Sequence, residues 1–423
     1  MKIKSFIQQY TFLGKNYIWR AIQRFLKAFI DFILFYISAQ ILNQELFGTY
    51  NYLLTLIGFF AIFGEFGLSA SVNKYIAEYR IRDKEKIQSI ISSSVYIFLT
   101  LSTIVSLFLM VFNIFIFNFN TLYFIYLILL LFLIGASNVF DGIFLGLKKF
   151  RTSSLITLFS GIVVLPLSYF MISAFAINGA LLIQVLYYLL MTIFLLKYSN
   201  FKFLHYDKEF IIKVLRYSII IGFAGLAYFL YTNIDILILE QFGYIVEIGY
   251  YRIIFIVFNL IILPFSLLGQ VLSPYITEIG TKNEYKRLHN YLMKLWMVFV
   301  IGILIAFGSF VGGPFFFNIF FPKYTNTVLF SMWNILLILI PFKLYGAVLT
   351  HGFVIPLGHG RITMYLTIIG GVCNVIFDYI LIILIGYEGI FYGTIVIHSL
   401  TITLTTIIFY LLIKKKKKKS LMI

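Results

Sequence analysis

Asn374 and Asp378 stand four residues apart in an apolar run, so on a helix their side-chain oxygens share one face. Asp235 and Thr394 sit at comparable depth in two other apolar runs, within reach of the same level. Two carboxylates, an amide oxygen and a hydroxyl form a hard, all-oxygen set suited to Na+. The same carboxylates could instead share a proton, or each could hydrogen-bond locally between helices. Lys343 follows Pro341 near the middle of another run, too deep to snorkel comfortably. It either lines a wet lumen or pairs with Asp141 or Glu65. Arg252 lies about a turn inside an outer end, where it faces the lumen or reaches the outer headgroups. Arg20 and Arg24, four apart, either receive a phosphate group at the inner end of the first run or simply anchor it. Lumen bases of this kind suit an anionic cargo such as a diphosphate through charge-assisted hydrogen bonds, whereas a cationic drug would favour carboxylates. His351 and His398 are more simply packed helix residues than proton carriers.

Catalytic signatures are missing. The sequence holds no G-x-x-x-x-G-K-[ST], H-E-x-x-H, Cys-x-x-Cys or G-x-S-x-G pattern, and its single cysteine, Cys373, falls in an apolar run. Neither an enzyme nor a resident cofactor is expected, apart from a coupling ion.

Helices must position these residues across a bilayer. Of 423 residues 61% are hydrophobic and 12% charged, against about a quarter charged in soluble domains, which excludes a soluble enzyme. A spanning helix needs roughly 20 apolar residues, and runs of that kind lie near 16-42, 47-76, 89-117, 121-147, 154-176, 178-197, 212-239, 247-276, 291-320, 325-354, 362-386 and 389-413. With the first residue inside, all of the 33 Lys and Arg except Arg252, Lys323 and Lys343 fall at cytoplasmic ends, while Glu45, Glu240, Glu247 and Glu388 fall outside. The net charge of +17 is therefore a topology signal, with both termini cytoplasmic, and not a sign of nucleic-acid binding. The expectation is an all-α, multi-pass protein of the cytoplasmic membrane, surrounded by lipid and monomeric. Its first lobe covers 1-200, a basic linker with His205, Asp207 and Glu209 covers 201-213, and its second lobe covers 214-413. A tail at 414-423, with its run of six lysines, holds the last helix to the anionic inner leaflet.

The second half echoes the first. Phe47-Gly48-Thr49-Tyr50 is matched by Ile248-Gly249-Tyr250-Tyr251 at an offset of 201, and Ile177-Asn178-Gly179 by Tyr387-Glu388-Gly389 at 210. Leu68-Ser69 is similar to Leu272-Ser273, and the loop from Gly146 to Arg151 to that from Gly358 to Arg361. Both halves start inside, so the lobes are parallel repeats of six helices that enclose a cavity opening to either side in turn. At the 210 offset Asn374 and Asp378 become Val164 and Ser168, so the oxygen set belongs to the second lobe alone.

Phe47-Gly48-x-Tyr50, Asn138-x-x-Asp141-Gly142-x-x-x-Gly146, the Asp235 helix followed by Ile248-Gly249-x-Tyr251, and Gly358-x-x-Arg361 through Asn374 to Glu388-Gly389 resemble polysaccharide flippases. These are the Wzx-type members of the multidrug/oligosaccharidyl-lipid/polysaccharide (MOP) exporter superfamily. The resemblance implies a V-shaped pair of six-helix lobes, twelve transmembrane helices in all, as in the related MATE transporters. It also implies movement of a polyprenyl-diphosphate-linked oligosaccharide from the inner to the outer leaflet, with Na+ or H+ coupling. In related lipid II flippases a Na+ site lies on helices seven, eleven and twelve, and Asp235, Asn374, Asp378 and Thr394 match its pattern. Those flippases carry two further helices that this chain lacks, which favours the oligosaccharide branch. A multidrug/cation antiporter of the same superfamily is the alternative. The major facilitator class is demoted, because the loop after the second span, from Lys74 to Lys86, lacks its glycines.

Overall fold

The structure is a computed structural model that describes residues 2–199, 201–202 and 207–420, with side chains from Trp19 onward apart from those of residues 117 and 419–420. His205 lies outside the described residues. All regular structure among them is helical. In chain order the helices are α1 (Lys2–Ile41), α2 (Gln44–Glu65), α3 (Leu68–Arg82), α4 (Ile87–Phe112), α5 (Thr121–Gly146), α6 (Phe150–Ser199) and α7 (Lys208–Thr232). They continue with α8 (Ile234–Gln241), α9 (Ile245–Thr281), α10 (Tyr285–Lys294), α11 (Trp296–Phe320), α12 (Thr327–Leu337), α13 (Ile340–Leu349), α14 (Gly360–Ile385) and α15 (Glu388–Ser420).

Among the described residues nine helices are long and apolar enough to cross a membrane, and α12 with α13, bent by 46°, makes a tenth. The 50 residues of α6 exceed one bilayer. Its backbone leaves the helical region at Ala176 (φ 50°, ψ −127°). An added Cβ on Gly179 would come within 2.0 Å of the Met171 carbonyl oxygen, although residues eight apart in a straight helix are separated by about 12 Å. The chain therefore folds back at Ala176, and α6 is two spans. With α1, this arrangement fits the expected twelve. Gly389 repeats the device at the α14–α15 turn, where an added Cβ would lie 2.4 Å from the Leu381 carbonyl. Met171 and Leu381 differ by the same 210 as the two glycines, so the repeat read from sequence extends to backbone packing.

Asparagines close several turns. Asn43 caps α2 by accepting from the Leu46 amide at 2.8 Å, and Asn326 caps α12 by accepting from Leu329, also at 2.8 Å. Such a cap satisfies an amide that the first turn leaves without a partner.

The helices form two compact units, Met1–Leu226 and Ala227–Ile423. The division falls inside α7 and not at the basic linker. The reason is local: the first half of α7 packs on α3, with Ser71 Oγ donating to the Val214 carbonyl at 2.9 Å and Tyr75 Oη to that of Lys213 at 3.1 Å. Close approach is obligatory there, since a Cβ on Gly67 (φ 78°) would lie 2.6 Å from the Ser218 carbonyl. The first unit buries Leu68, Val72, Ile90, Phe144 and Tyr187 against one another. In the second, Ile276, Leu288, Val348, Phe353 and Phe409 form one cluster. The lysine run does not hang free after the last span: α15 continues as helix through it to Ser420.

Gly389 and Gly312 provide a matched test, because a Cβ on Gly389 meets backbone and one on Gly312 meets nothing within 4 Å. Gly389→Ala is expected to lower the stability of the purified protein by about 1–3 kcal/mol. Gly312→Ala is expected to stay within about 1 kcal/mol of the parent on the favourable side. Unfolding midpoints in mild detergent measure both.

A buried oxygen cluster and a lysine cavity in the second unit

The seventh span breaks at Asn233 (φ −140°, ψ −5°), and the short helix α8 restarts at once. The break places Asp235 in the first turn of α8, where the exposed amides favour a carboxylate. Asp235 is buried, as are Asn374 and Asp378 on α14 and Thr394 on α15. Asn374 Nδ2 donates to Asp235 Oδ1 at 2.8 Å, and Thr394 Oγ donates to Oδ2 at 3.1 Å. Tyr251 Oη on α9 also donates to Oδ2. Asp235 thus accepts three hydrogen bonds on its two oxygens, and it is the acceptor around which the cluster is built.

Asp378 lies within electrostatic reach of Asp235 and is placed differently. Both of its oxygens, together with Asn374 Oδ1, are buried without a hydrogen-bond partner among the described residues. Gly393 permits this approach: a Cβ there would stand 2.3 Å from Asp378 Oδ1. Three acceptors without a protein donor, next to the Asp235 side chain, form a buried set of oxygens among the described residues. The donor set is all oxygen. Among the described residues no group of three or more His, Cys, Asp or Glu comes together, so a site for a soft transition metal is not what this cluster offers.

All four residues expected from spacing are thus brought together, and one participant was missed. Tyr251 lies in the Ile248-Gly249-x-Tyr251 motif, whose repetition was legible although its hydroxyl's partner was not. The first unit repeats part of this frame. Tyr50, the counterpart of Tyr251, accepts from Gln184 Nε2 at 3.0 Å. Gln184 is the counterpart of Thr394 at 210, and Val164 and Ser168, in the places of Asn374 and Asp378, are also buried.

Lys343 on α13 does not pair with Asp141 or Glu65. Its Nζ bonds His398 Nδ1, and it lies over the Tyr231 ring at 5.5 Å. His398 Nε2 is 3.0 Å from the Tyr231 carbonyl. A carbonyl can only accept, so Nε2 carries the proton and Nδ1 receives the bond from Lys343. The Tyr231 carbonyl belongs to the last turn of α7, where carbonyls lose their in-helix partners. Lys343 borders a cavity of about 400 Å³ whose wall includes Asn259, Ser266, Thr350, Thr363 and Thr401. His351 lines it too, so that histidine is not simply packed.

The remaining bases are placed less simply. Arg252 is half-buried on α9 beside Tyr251 and is not part of the Lys343 cavity wall. Arg24 is exposed on α1. Arg20 is committed to the protein itself: it pairs with Asp141 at 2.9 Å and bonds Gln23 at 2.6 Å. Asp141 also accepts from Gln23 at 2.8 Å and Ser153 at 2.6 Å. Glu65 accepts from Asn138 at 2.8 Å and from the Ser69 amide at 3.2 Å, at the start of α3.

A family described as polysaccharide biosynthesis protein matches residues 13–280. No curated protein matches the sequence. Among solved structures, an inward-facing multidrug resistance MATE family transporter of the MOP superfamily superposes with a TM-score of 0.74 at 17% identity, covering 95% of this chain and 99% of that one. The lipid II flippase MurJ in an inward closed conformation gives 0.71 at 14% identity, covering 92% and 86%. A MOP superfamily transporter from Pyrococcus furiosus, titled for the reverse polarity of its binding pocket, gives 0.61 at 17% identity over 95% of each chain. These similarities establish the fold.

The repeated tyrosine gives a test of the cluster. Tyr251→Phe removes one of three donors from the buried Asp235 side chain and is expected to cost about 1–3 kcal/mol, whereas Tyr50→Phe removes a contact to Gln184 and should cost about 0.5–1.5 kcal/mol. Chemical unfolding of the two variants in detergent compares them directly.

Proposed function

The chain belongs to the polysaccharide biosynthesis protein family, and from that premise we propose that it flips a polyprenyl-diphosphate-linked oligosaccharide from the inner to the outer leaflet of the cytoplasmic membrane, using Na+ as the coupling ion. The observation that carries the ion reading is the set of three oxygens without a donor, Asp378 Oδ1 and Oδ2 and Asn374 Oδ1, beside Asp235. Burying such groups without a counter-charge costs several kcal/mol each. A small hard cation relieves that cost for all of them together. Asp235, Asp378, Asn374 and Thr394 would hold it, with Tyr251 fixing the Asp235 carboxylate in place. A proton shared by the two carboxylates would relieve part of the cost, but it would leave the Asn374 oxygen unanswered.

The cargo reading rests on charge. Lys343 opens on a cavity walled by hydroxyl and amide side chains, in which an anionic diphosphate gains charge-assisted hydrogen bonds. Hydroxyl-rich walls also suit the sugar of a glycolipid. Arg252, in the same unit, is a further base for the diphosphate, while Arg20 is occupied by Asp141. Cation binding drives transport only if it favours one state of the protein over the other. A multidrug/cation antiporter is the second reading, favoured by the superposition on a MATE transporter. A lysine at the cavity, where a cationic drug would be repelled, supports the first.

Thermal unfolding of the full chain in detergent tests the reading. Na+, compared with K+ at equal ionic strength, is expected to raise the midpoint, and Asp378→Ala to abolish that rise; at 100 times the dissociation constant a bound ion contributes about 2.7 kcal/mol. A polyprenyl diphosphate is expected to raise the midpoint further, with Lys343→Glu losing this increment and flipping in proteoliposomes. Stabilisation by cationic dyes, with none by Na+ or the diphosphate, would replace the reading with the drug antiporter.

A further inference from the structure

Lys343 and the oxygen cluster are connected through one side chain. His398 lies one helical turn beyond Thr394 on α15, and the carbonyl it bonds, that of Tyr231, lies one turn before Asp235. The His398 ring is also stacked on Tyr231, with centroids 3.9 Å apart. The Tyr231 ring is in turn held against α14, where a Cβ on Gly370 would lie 2.9 Å from it. His398 is 3% exposed. The three elements that carry Asp235, Asn374 with Asp378, and Thr394 thus touch the Lys343–His398–Tyr231 group: α8 through the break after Tyr231, α14 through Gly370, and α15 through His398 itself.

We propose that His398 is a positioning residue that makes the aim of Lys343 into its cavity depend on whether the Asp235–Asp378 cluster holds a cation. The inference rests on the transport reading above and deepens it, by assigning the coupling between ion and cargo to a named contact. The physical argument has two parts. Asp235 and Lys343 lie within electrostatic reach of each other, so without a cation the carboxylate competes with an anionic cargo for the lysine, and with one it does not. Geometry supplies the second part. A cation drawing Asp235 and Thr394 toward Asp378 moves the α7 break and the α15 turn on which His398 is mounted. His398 is the only ring that bonds Lys343 and the Tyr231 carbonyl together among the described residues. Ion and diphosphate therefore bind cooperatively, each raising the affinity for the other by the same factor.

The test is a binding titration of a short-chain polyprenyl diphosphate to the full-length protein in detergent, in Na+ and in K+ at equal ionic strength. It is run on the wild type, His398→Leu and His398→Gln, with the Na+-specific thermal shift measured on each. In the wild type Na+ is expected to tighten the diphosphate about fivefold or more. In His398→Leu that ratio falls toward one while the Na+ shift persists. Glutamine carries one donor and one acceptor, as the ring does, and His398→Gln is expected to restore much of the ratio. An undiminished ratio in His398→Leu overturns the inference alone. Loss of the Na+ shift itself in both variants overturns it too, since His398 would then only build the cation site. A wild type that responds to neither Na+ nor the diphosphate removes the transport reading, and the inference with it.

Discussion

A carboxyl group within a bilayer must find its hydrogen-bond partners in the protein or in a bound ion, because hydrocarbon offers neither. Asp235 obtains three donors from three different helices, Tyr251 on α9, Asn374 on α14 and Thr394 on α15. That requirement ties the second unit together at one depth, since the carboxylate is satisfied only when all three helices are in register with α8. Asp378 receives no such treatment. The unit thus gives its donors to one acid and leaves the other without a protein donor among the described residues. Replacing such a pair by apolar residues would serve packing as well or better.

Duplication explains how one lobe came to differ from the other without a change of frame. The chain reversals at Ala176 and at the α14–α15 turn use the same glycine contact 210 residues apart. A buried tyrosine follows the same turn in each half. With that backbone shared, a few side chains differ: Gln184, Val164 and Ser168 stand in the first unit where Thr394, Asn374 and Asp378 stand in the second. The first unit has polar networks of its own, Arg20–Gln23–Asp141–Ser153 and the Glu65–Asn138 pair. There the acids have protein partners.

The membrane class, the helical repeat and the four oxygen-bearing residues were legible because they follow from one-dimensional rules: apolar length, charge placement and the i, i+4 face. Partners across helices were not. Lys343 and His398 are separated by 55 residues, and nothing in either local pattern distinguishes that pairing from one with Asp141 or Glu65. Tyr251 is one of 31 tyrosines in the chain, and an interfacial or packing role is the default for an aromatic in an apolar run. Arg20 was legible as a base at the inner end but not as a spent one, since its partner lies 121 residues away. The division inside α7 escaped for a related reason. A basic, polar stretch marks a linker by composition, whereas the unit boundary is decided by which residues α7 touches, and Gly67 and Ser71 hold its first half.

Helix breaks and intramembrane charge coincide in this protein, and the coincidence has a cause. Asp235 follows the break at Asn233, Lys343 follows the bend between α12 and α13, and Glu65 closes α2 where Phe66 and Gly67 take positive φ. A broken helix frees amides and carbonyls that the bilayer cannot satisfy. The charged side chains, or their partners, supply what is missing: Glu65 accepts from the Ser69 amide, and His398 donates to the Tyr231 carbonyl. A break repaired in this way is held by polar contacts that a ligand can rearrange, whereas an intact helix presents none. Buried polar groups therefore gather where the helices are interrupted, and the same interruptions are where a spanning helix bends most readily.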